Sequence, residues 1–515
     1  MIRTVWQASG SVLAVVGVAL MGGCTDGGNA ESAGTVNEAT SRERHRVDGG
    51  SHGGSDASND QSSGDANGGT DANGDAGTVD SAPGDAAMDA ANEAGADGGT
   101  DGGACSTPLP ADPFASQRAS CSFTTGANVT STLPLTASQQ AAIPIKNIIV
   151  MMKENRSFDH LLGQLHSLVP AVEPIPANFT NPGATGGTVA PFHQTTTCIK
   201  NDPGHQWTDM HTQVDNGAMD GFVKSAASST GTDGTFAMSY YTPADLPFYY
   251  WLASTYPVND RHFASARSGT FPDRNFLLLG TPDGVQSTGS GFPLSTTPTI
   301  FESMTSAAVS WGVYSDGSLL SGTLNWTSSH PGTGSFATFL SQLDAGTLPQ
   351  VAFVDGVDNV TDDHPTADLQ QGEAWSRTIY QHATASSLWP HLAIIWTYDE
   401  GGGFFDHVPP PNNWCVPRPS DPPVGGNGTL DTAFFELGVR VPLVVISPYA
   451  RSGYTSHVVQ EHTAITRLIE AVFNLPALTN RDANSDALLD MFDFGCPPAF
   501  LTPPPAPASG TGGCK

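Results

Sequence analysis

Three apolar stretches interrupt an otherwise polar chain: "IKNIIVMM" from Ile145, "HLAIIWTYD" from His391 and "VRVPLVVIS" from Val439. Each is nearly continuous in large apolar and β-branched residues over a strand's length, the pattern of a strand buried on both faces in a parallel sheet. Elsewhere the period lengthens to that of a helix. In "EHTAITRLIEAVFNL", Ile465, Leu468, Ile469 and Phe473 recur at helical spacing. In "SFDHLLGQL", Phe158, Leu161, Leu162 and Leu165 fall at i, i+3, i+4 and i+7, which predicts a helix beginning near Ser157. Strands alternating with helices predict an α/β fold with a largely parallel central sheet and helices on both faces. The long Gly/Pro/Ser-rich stretches between them read as loop insertions roofing the sheet's edge.

The N-terminal part has a different character. Arg3 precedes "SVLAVVGVALMGG", an apolar run too short to span a bilayer but suited to the core of a signal peptide. The run ends at "LMGGC", where small residues before a cysteine resemble the lipobox of bacterial lipoproteins. On that pattern Cys24 is lipidated and residues 1–24 form the leader; the alternative is an ordinary secretory signal with an incidental cysteine. No paired arginines precede the apolar core, which favours the general secretory route. Residues 25–104 are Gly, Ala, Asp and Ser with almost no large apolar side chains. Such a segment cannot bury enough surface to offset its ordering entropy, so a disordered acidic tether is expected. Around eighty flexible residues span roughly 50 Å. Residues 105–515 remain as the folded, catalytic part.

Charge and cysteine usage narrow the class. A net charge of −30 is not that of a nucleic-acid binder, because phosphate backbones recruit Lys and Arg. Besides Cys24 there are six cysteines: Cys105, Cys121, Cys198, Cys415, Cys496 and Cys514. An even number in an exported chain suggests up to three disulfides, in any of fifteen pairings. The absence of a C-x-x-C spacing argues against a zinc ribbon.

Candidate chemistry lies where the predicted strands end. The run from Ile145 closes in Lys153, Glu154, Asn155 and Arg156 just before a helix start, the place where open α/β sheets hold ligands. Helix capping by Asn155 or Ser157 is the bland alternative. "SGTFPDR" sets Thr270 at another helix start, where it is either an exposed hydroxyl near partial positive charge or an N-cap. "IIWTYDEGGGFFDH" ends a strand in adjacent carboxylates, Asp399 and Glu400, followed by three glycines that allow close backbone approach, then Asp406 and His407. Adjacent buried carboxylates repel and lose their charge unless a cation joins them, so a metal is the economical explanation. His205, His211, His364, His457 and His462 lie in further motifs, and spacing alone does not show whether they converge.

The ordered set "ENRSFDHLLG", "MSYYTPADLPFYYWLAS", "SGTFPDRNFLLLGT", "DDHPTADLQQGE", "YDEGGGFFDHVPPP" and "RVPLVVISPYARSGYTSHVVQEHTAITRLIEAVFNLP" resembles a bacterial phosphoesterase family. Phospholipase C enzymes of the non-haemolytic type and related acid phosphatases belong to it, and the resemblance runs from about Ile145 to Phe494. It implies an alkaline phosphatase-like α/β sandwich and a phosphoric mono- or diester hydrolase. It implies Thr270 as nucleophile, with Glu154, Asn155, Thr270, Asp399 and Glu400 around a divalent metal and His205, His364 and Asn155 facing phosphate. The roles of His407, His457 and His462 stay open. The carboxylate-rich set favours Mg, Ca or Mn, with Zn as an alternative. Asp273 departs from the family's usual Asn in this run. The expected substrate is a phosphate ester or phospholipid, met by a protein lipid-anchored to the cell envelope at the periplasmic face or cell surface. A non-catalytic binding protein of the same fold and a sulfatase-like hydrolase are the competing classes; the first is disfavoured by the presence of Thr270 and both acidic pairs.

Overall fold

The computed structural model describes residues 105–288, 297–317, 332–418 and 435–514. The expected leader, its Cys24 and the expected tether lie outside the described residues. Eight strands form the main sheet: β1 Asn147–Lys153, β2 Val258–Asn259, β3 Trp311–Tyr314, β4 Thr333–Gly334, β5 Val351–Val354, β6 Leu392–Tyr398, β7 Leu443–Ile446 and β8 Thr455–Ser456. Their order across the sheet is β8-β2-β7-β6-β1-β5-β3-β4. Seven run in one direction, and β7 is antiparallel to both neighbours, β6 and β2.

The first two apolar runs become β1 and β6, the parallel pair at the sheet's centre. Every residue of both strands is buried, so both faces of the sheet are covered. The third run was expected to be parallel as well. Its strand, β7, is equally buried but runs the other way. A continuous apolar run reports burial on two faces and carries no information on direction, which is set by the connection. No described helix intervenes between β6 and β7 to carry a parallel crossover.

Six helices matter for the site: α1 Phe158–Leu162, α2 Trp207–Val214, α3 Pro247–Thr255, α4 Thr270–Leu279, α5 Leu369–Ala385 and α6 Thr463–Phe473. Ser157 caps α1 by accepting the His160 N–H at 3.3 Å. The helix stops at Gly163, and Leu165 lies in a separate 3-10 turn, though still on the apolar face that the spacing marked. In α6 the expected stripe is buried at Ile465, Leu468 and Ile469, with Phe473 half-buried at the end. Burying a Leu or Ile contributes roughly 1.5–3 kcal/mol, so this face fixes α6 firmly. A bond from Thr466 Oγ1 to the Leu277 carbonyl (2.6 Å) ties it to α4.

Three disulfides join the six described cysteines as Cys105–Cys496, Cys121–Cys415 and Cys198–Cys514. They pin the first described residues and the C-terminal tail to the body of the domain. No helix among the described residues is long and apolar enough to cross a membrane.

Candidate active site at the strand ends

The register of the central pair builds the site. Lys153 lies opposite Tyr398, so the two polar pairs, Glu154–Asn155 and Asp399–Glu400, leave the sheet side by side. The Asp399 N–H donates to the Lys153 carbonyl at 3.1 Å, continuing the ladder one step. Beyond it, the Asn155 N–H reaches Asp399 Oδ1 at 3.4 Å. Asn155 does not cap α1. It is fully buried, adopts a left-handed backbone (φ 59°) and brings Nδ2 within 3.4 Å of His205 Nε2.

Arg274 supplies the first counter-charge. Its guanidinium bonds Asp399 Oδ2 (3.1 Å), Asp355 Oδ1 (3.2 Å) and the Met152 carbonyl (3.2 Å). It also lies 3.2 Å from Glu154 Oε1, an ion-pair distance without hydrogen-bond alignment. One arginine thus links carboxylates just beyond three parallel strands, β1, β5 and β6. Arg274 stands four residues after Thr270 on α4, so the same helix that carries the hydroxyl also anchors the acids.

That single positive charge is not enough. Burial and then the charge of Asp399 push Glu154 well up against the pull of Arg274, and the same two causes push Glu400 well up. Glu154 Oε1, Asn155 Oδ1 and Glu400 Oε1 are all buried without a hydrogen-bond partner among the described residues. Buried oxygens without hydrogen-bond partners are costly, and carboxylate and amide oxygens are the donor type that a hard divalent cation prefers. The residues present therefore fit the metal that the family resemblance implies.

Thr270 is the first residue of α4, and the N-cap is Gly269, with no side-chain cap bond. The helix-cap alternative is thereby set aside. Thr270 is buried, and its hydroxyl makes no hydrogen bond to another described residue. A Cβ on Gly269 would lie 3.0 Å from the Gln206 amide, so α4 starts against the residue following His205.

The histidines divide. His205 Nδ1 donates to the Pro203 carbonyl (2.7 Å), leaving Nε2 toward Asn155 and 3.8 Å from Glu400 Oε1. His364 hydrogen-bonds the Pro365 carbonyl through Nδ1 and turns Nε2 toward Asp202 Oδ2 at 3.9 Å. The two rings are 6.0 Å apart, and with Asp202 they form a compact ligand-capable group beside the acids. His462 donates from Nε2 to the Asp399 carbonyl (2.6 Å), bracing the strand end from behind. His457 is away on Asp260 (2.8 Å), and His211 pairs with Glu436 (3.1 Å).

His407 orders the glycine loop. Its N–H and Nδ1 both meet Asp159 Oδ2 (2.8 and 2.6 Å), and Arg440 bridges Asp159 and Asp406 at 2.9 Å each. The loop needs its glycines. At Gly402 (φ 62°) a Cβ would sit 2.1 Å from the Asn155 carbonyl, so any side chain there would push the loop off the site.

The sequence pattern pointed to Glu154, Asn155, Thr270, His205, His364, Asp399 and Glu400; the fold draws the acidic residues, Asn155 and the two histidines into one region, with α4 starting beside it. It missed Arg274, Asp355 and Asp202. An arginine one helical turn after a suspected nucleophile was a usable signal for the first. Nothing in its own neighbourhood marked Asp355.

Buried acidic side chains, Asn155 and two adjacent imidazoles gather beyond the strand ends, and α4 starts beside them with the Thr270 hydroxyl. Residues 145–476 match the model of the Phosphoesterase family, and the chain belongs to that family. It is a phosphoric ester hydrolase. It is similar to non-specific phospholipase C1 of Arabidopsis thaliana, 32% identical over 66% of this chain and 69% of that protein. Phospholipase C A of Mycobacterium tuberculosis is 32% identical over 70% of this chain and 79% of its own length. Among solved structures, the lipoteichoic acid synthase LtaP from Listeria monocytogenes aligns over 70% of this chain and 80% of that one, at 8% identity and a TM-score of 0.34. A likeness that loose is too weak to bear on function.

The His407–Asp159 pair sets a pH dependence. Burial pulls His407 down, but the hydrogen bond and charge of Asp159 outweigh it and hold the imidazole above its ordinary value. A raised folded value means that the stabilisation is complete below about pH 6.5, the ordinary value, and is lost as pH rises through the raised one. His407→Gln is therefore expected to lower the urea midpoint more at pH 6 than at pH 9. An equal loss at both would contradict the assignment.

Proposed function

We propose that the protein hydrolyses phosphate esters through a phospho-threonine intermediate on Thr270, with a divalent cation held by Glu154, Asn155, Asp399 and Glu400 and with Thr270 as a further ligand. The observation that carries this reading is that Glu154 Oε1, Asn155 Oδ1 and Glu400 Oε1, carried just beyond the paired ends of β1 and β6, are buried without a hydrogen-bond partner among the described residues. When bound, the cation supplies Lewis-acid stabilisation of charge and favours the ionised hydroxyl. Mg, Ca or Mn suits an all-oxygen set better than Zn.

Thr270 Oγ1 attacks phosphorus, its proton leaves to solvent or a neighbouring base, and the ester P–O bond breaks in line with the attack. Backbone N–H groups at the start of α4 favour the developing negative charge. His364, tied through Nδ1 to the Pro365 carbonyl and with Nε2 toward Asp202, is suited in its imidazolium form to give the leaving oxygen a proton. Water then attacks phosphorus, the bond to Oγ1 breaks, and Thr270 is restored. Two moderate steps replace one difficult one. His205, with its tautomer set by the Pro203 carbonyl, orients Asn155 and borders the phosphate. Relatives named phospholipase C support a phospholipid diester as the substrate class.

The nucleophile is tested by Thr270→Ala and Thr270→Ser, assayed on bis-p-nitrophenyl phosphate, p-nitrophenyl phosphate and phosphatidylcholine. Alanine is expected to lower kcat by at least about a thousandfold with the fold intact, and serine to retain most activity. Wild-type turnover by the alanine variant would remove Thr270 from the mechanism.

We further propose that Cys24 carries a lipid anchor. Acyl chains contribute about 0.8 kcal/mol per buried methylene, and stable anchoring takes more than one. Full-length protein expressed in a bacterial host is expected in the membrane fraction, and Cys24→Ser in the soluble fraction or unprocessed. Identical partitioning of the two would contradict the anchor.

A further inference from the structure

We propose that Asp363 is a positioning residue for the reaction, holding Glu154, Asn155, Asp399 and His364 in place through a buried polar hub made of their sequence neighbours. Asp363 Oδ2 accepts from Tyr398 OH at 2.6 Å and Tyr249 OH at 2.8 Å, and pairs with Lys153 Nζ at 2.9 Å. Its backbone carbonyl accepts Arg156 Nε at 2.9 Å. Lys153 precedes Glu154, Arg156 follows Asn155, Tyr398 precedes Asp399, and Asp363 precedes His364. Successive residues of a strand point to opposite faces. At the ends of β1 and β6 the side chains of Lys153 and Tyr398 therefore point away from those of Glu154 and Asp399, while Arg156 and Asp363 adjoin Asn155 and His364 in the turns beyond, and a shift in one set moves the other.

The hub is closed and directional. Lys153, Arg156, Tyr249, Asp363 and Tyr398 are each at most 1% exposed. Lys153 also donates to the carbonyls of Thr361 and Gly372 at 2.9 Å each, joining the loop before His364 to α5. Arg156 stacks over Phe404, 4.8 Å from its centroid, and so reaches the loop after Glu400. The Glu154 N–H donates to the Asp362 carbonyl (2.8 Å), and the His364 N–H to Asp362 Oδ1 (3.1 Å).

Two local features show that the chain is built around this carboxylate. Asp363 adopts a left-handed backbone (φ 75°), which turns its side chain into the hub while its carbonyl meets Arg156. A Cβ at Gly372 would lie 1.7 Å from Asp363 Oδ1, so α5 must carry a glycine at the point where the side chain enters. For stability alone, buried charges are often replaceable by apolar groups without loss. An aspartate that gathers donors from β1, α3 and β6, each adjoining or facing a site-bearing segment, is placed for geometry.

Asp363→Asn keeps the shape but removes the charge opposite Lys153. At saturating bis-p-nitrophenyl phosphate, well below the unfolding temperature, kcat is expected to fall about a hundredfold, the scale of a displacement near 1 Å, with KM little changed. Amide exchange over residues 361–364 is expected to rise. Glu470→Gln, which disturbs a buried ion pair in α6, is expected to lower Tm and leave kcat within about twofold, separating loss of stability from loss of positioning. If Asp363→Asn does not fold, Tyr398→Phe decides, with an expected loss of about tenfold. Wild-type kcat and exchange in either folded variant would overturn the proposal. The wild-type rate is the reference throughout, so a failure of the phosphoester reading would appear there and not as a difference between variants.

Discussion

The parallel pairing of β1 with β6 is the constraint on which the site depends. Its register releases Glu154 and Asp399 from adjacent strands at the same level, and Asp355 follows β5 one strand further. Buried like charges are expensive: at 4 Å and an effective dielectric constant of 20, one pair costs about 4 kcal/mol, a large part of a domain's usual 5–15 kcal/mol. Arg274 offsets some of this by touching all three acids. Glu400 is buried beside them, outside the three ion pairs of Arg274. Burial first, and then the charge of Asp399, hold Glu154 and Glu400 well above their ordinary values.

Around that cluster the fold spends polar side chains to hold geometry. Asp363 and its donors lie on one side of the strand ends, and His462 braces the Asp399 carbonyl on another. The Asp159–Arg440–Asp406–His407 group fastens the glycine loop to α1. Each joins segments far apart in sequence.

Much of this was legible in the chain. β1 and β6 were visible because central strands buried on both faces are apolar throughout, and their polar tips stood out as poor packing material. α6 was visible from its apolar stripe at Ile465, Leu468 and Ile469. The direction of β7 was not, since burial on two faces looks the same either way. The disulfide pairing was not either, because it depends on how the termini wrap the domain. Arg274, Asp355 and Asp363 escaped notice for a shared reason: each acts through partners distant in sequence, with Arg274 and Asp355 meeting beyond the strand ends and Asp363 meeting Tyr249 and Lys153. Ser157 and Thr270 both lay at helix starts, and only the fold separated the cap from the free hydroxyl.

The central claim is that the strand-end oxygens form a divalent cation site against Thr270. Anomalous diffraction from crystals of the protein soaked in manganese tests it most directly. The account predicts one strong peak bounded by Glu154, Asn155, Asp399 and Glu400, in contact with Thr270 Oγ1. No peak there at saturating manganese, or a peak held only by Asp202, His205 and His364, would contradict it.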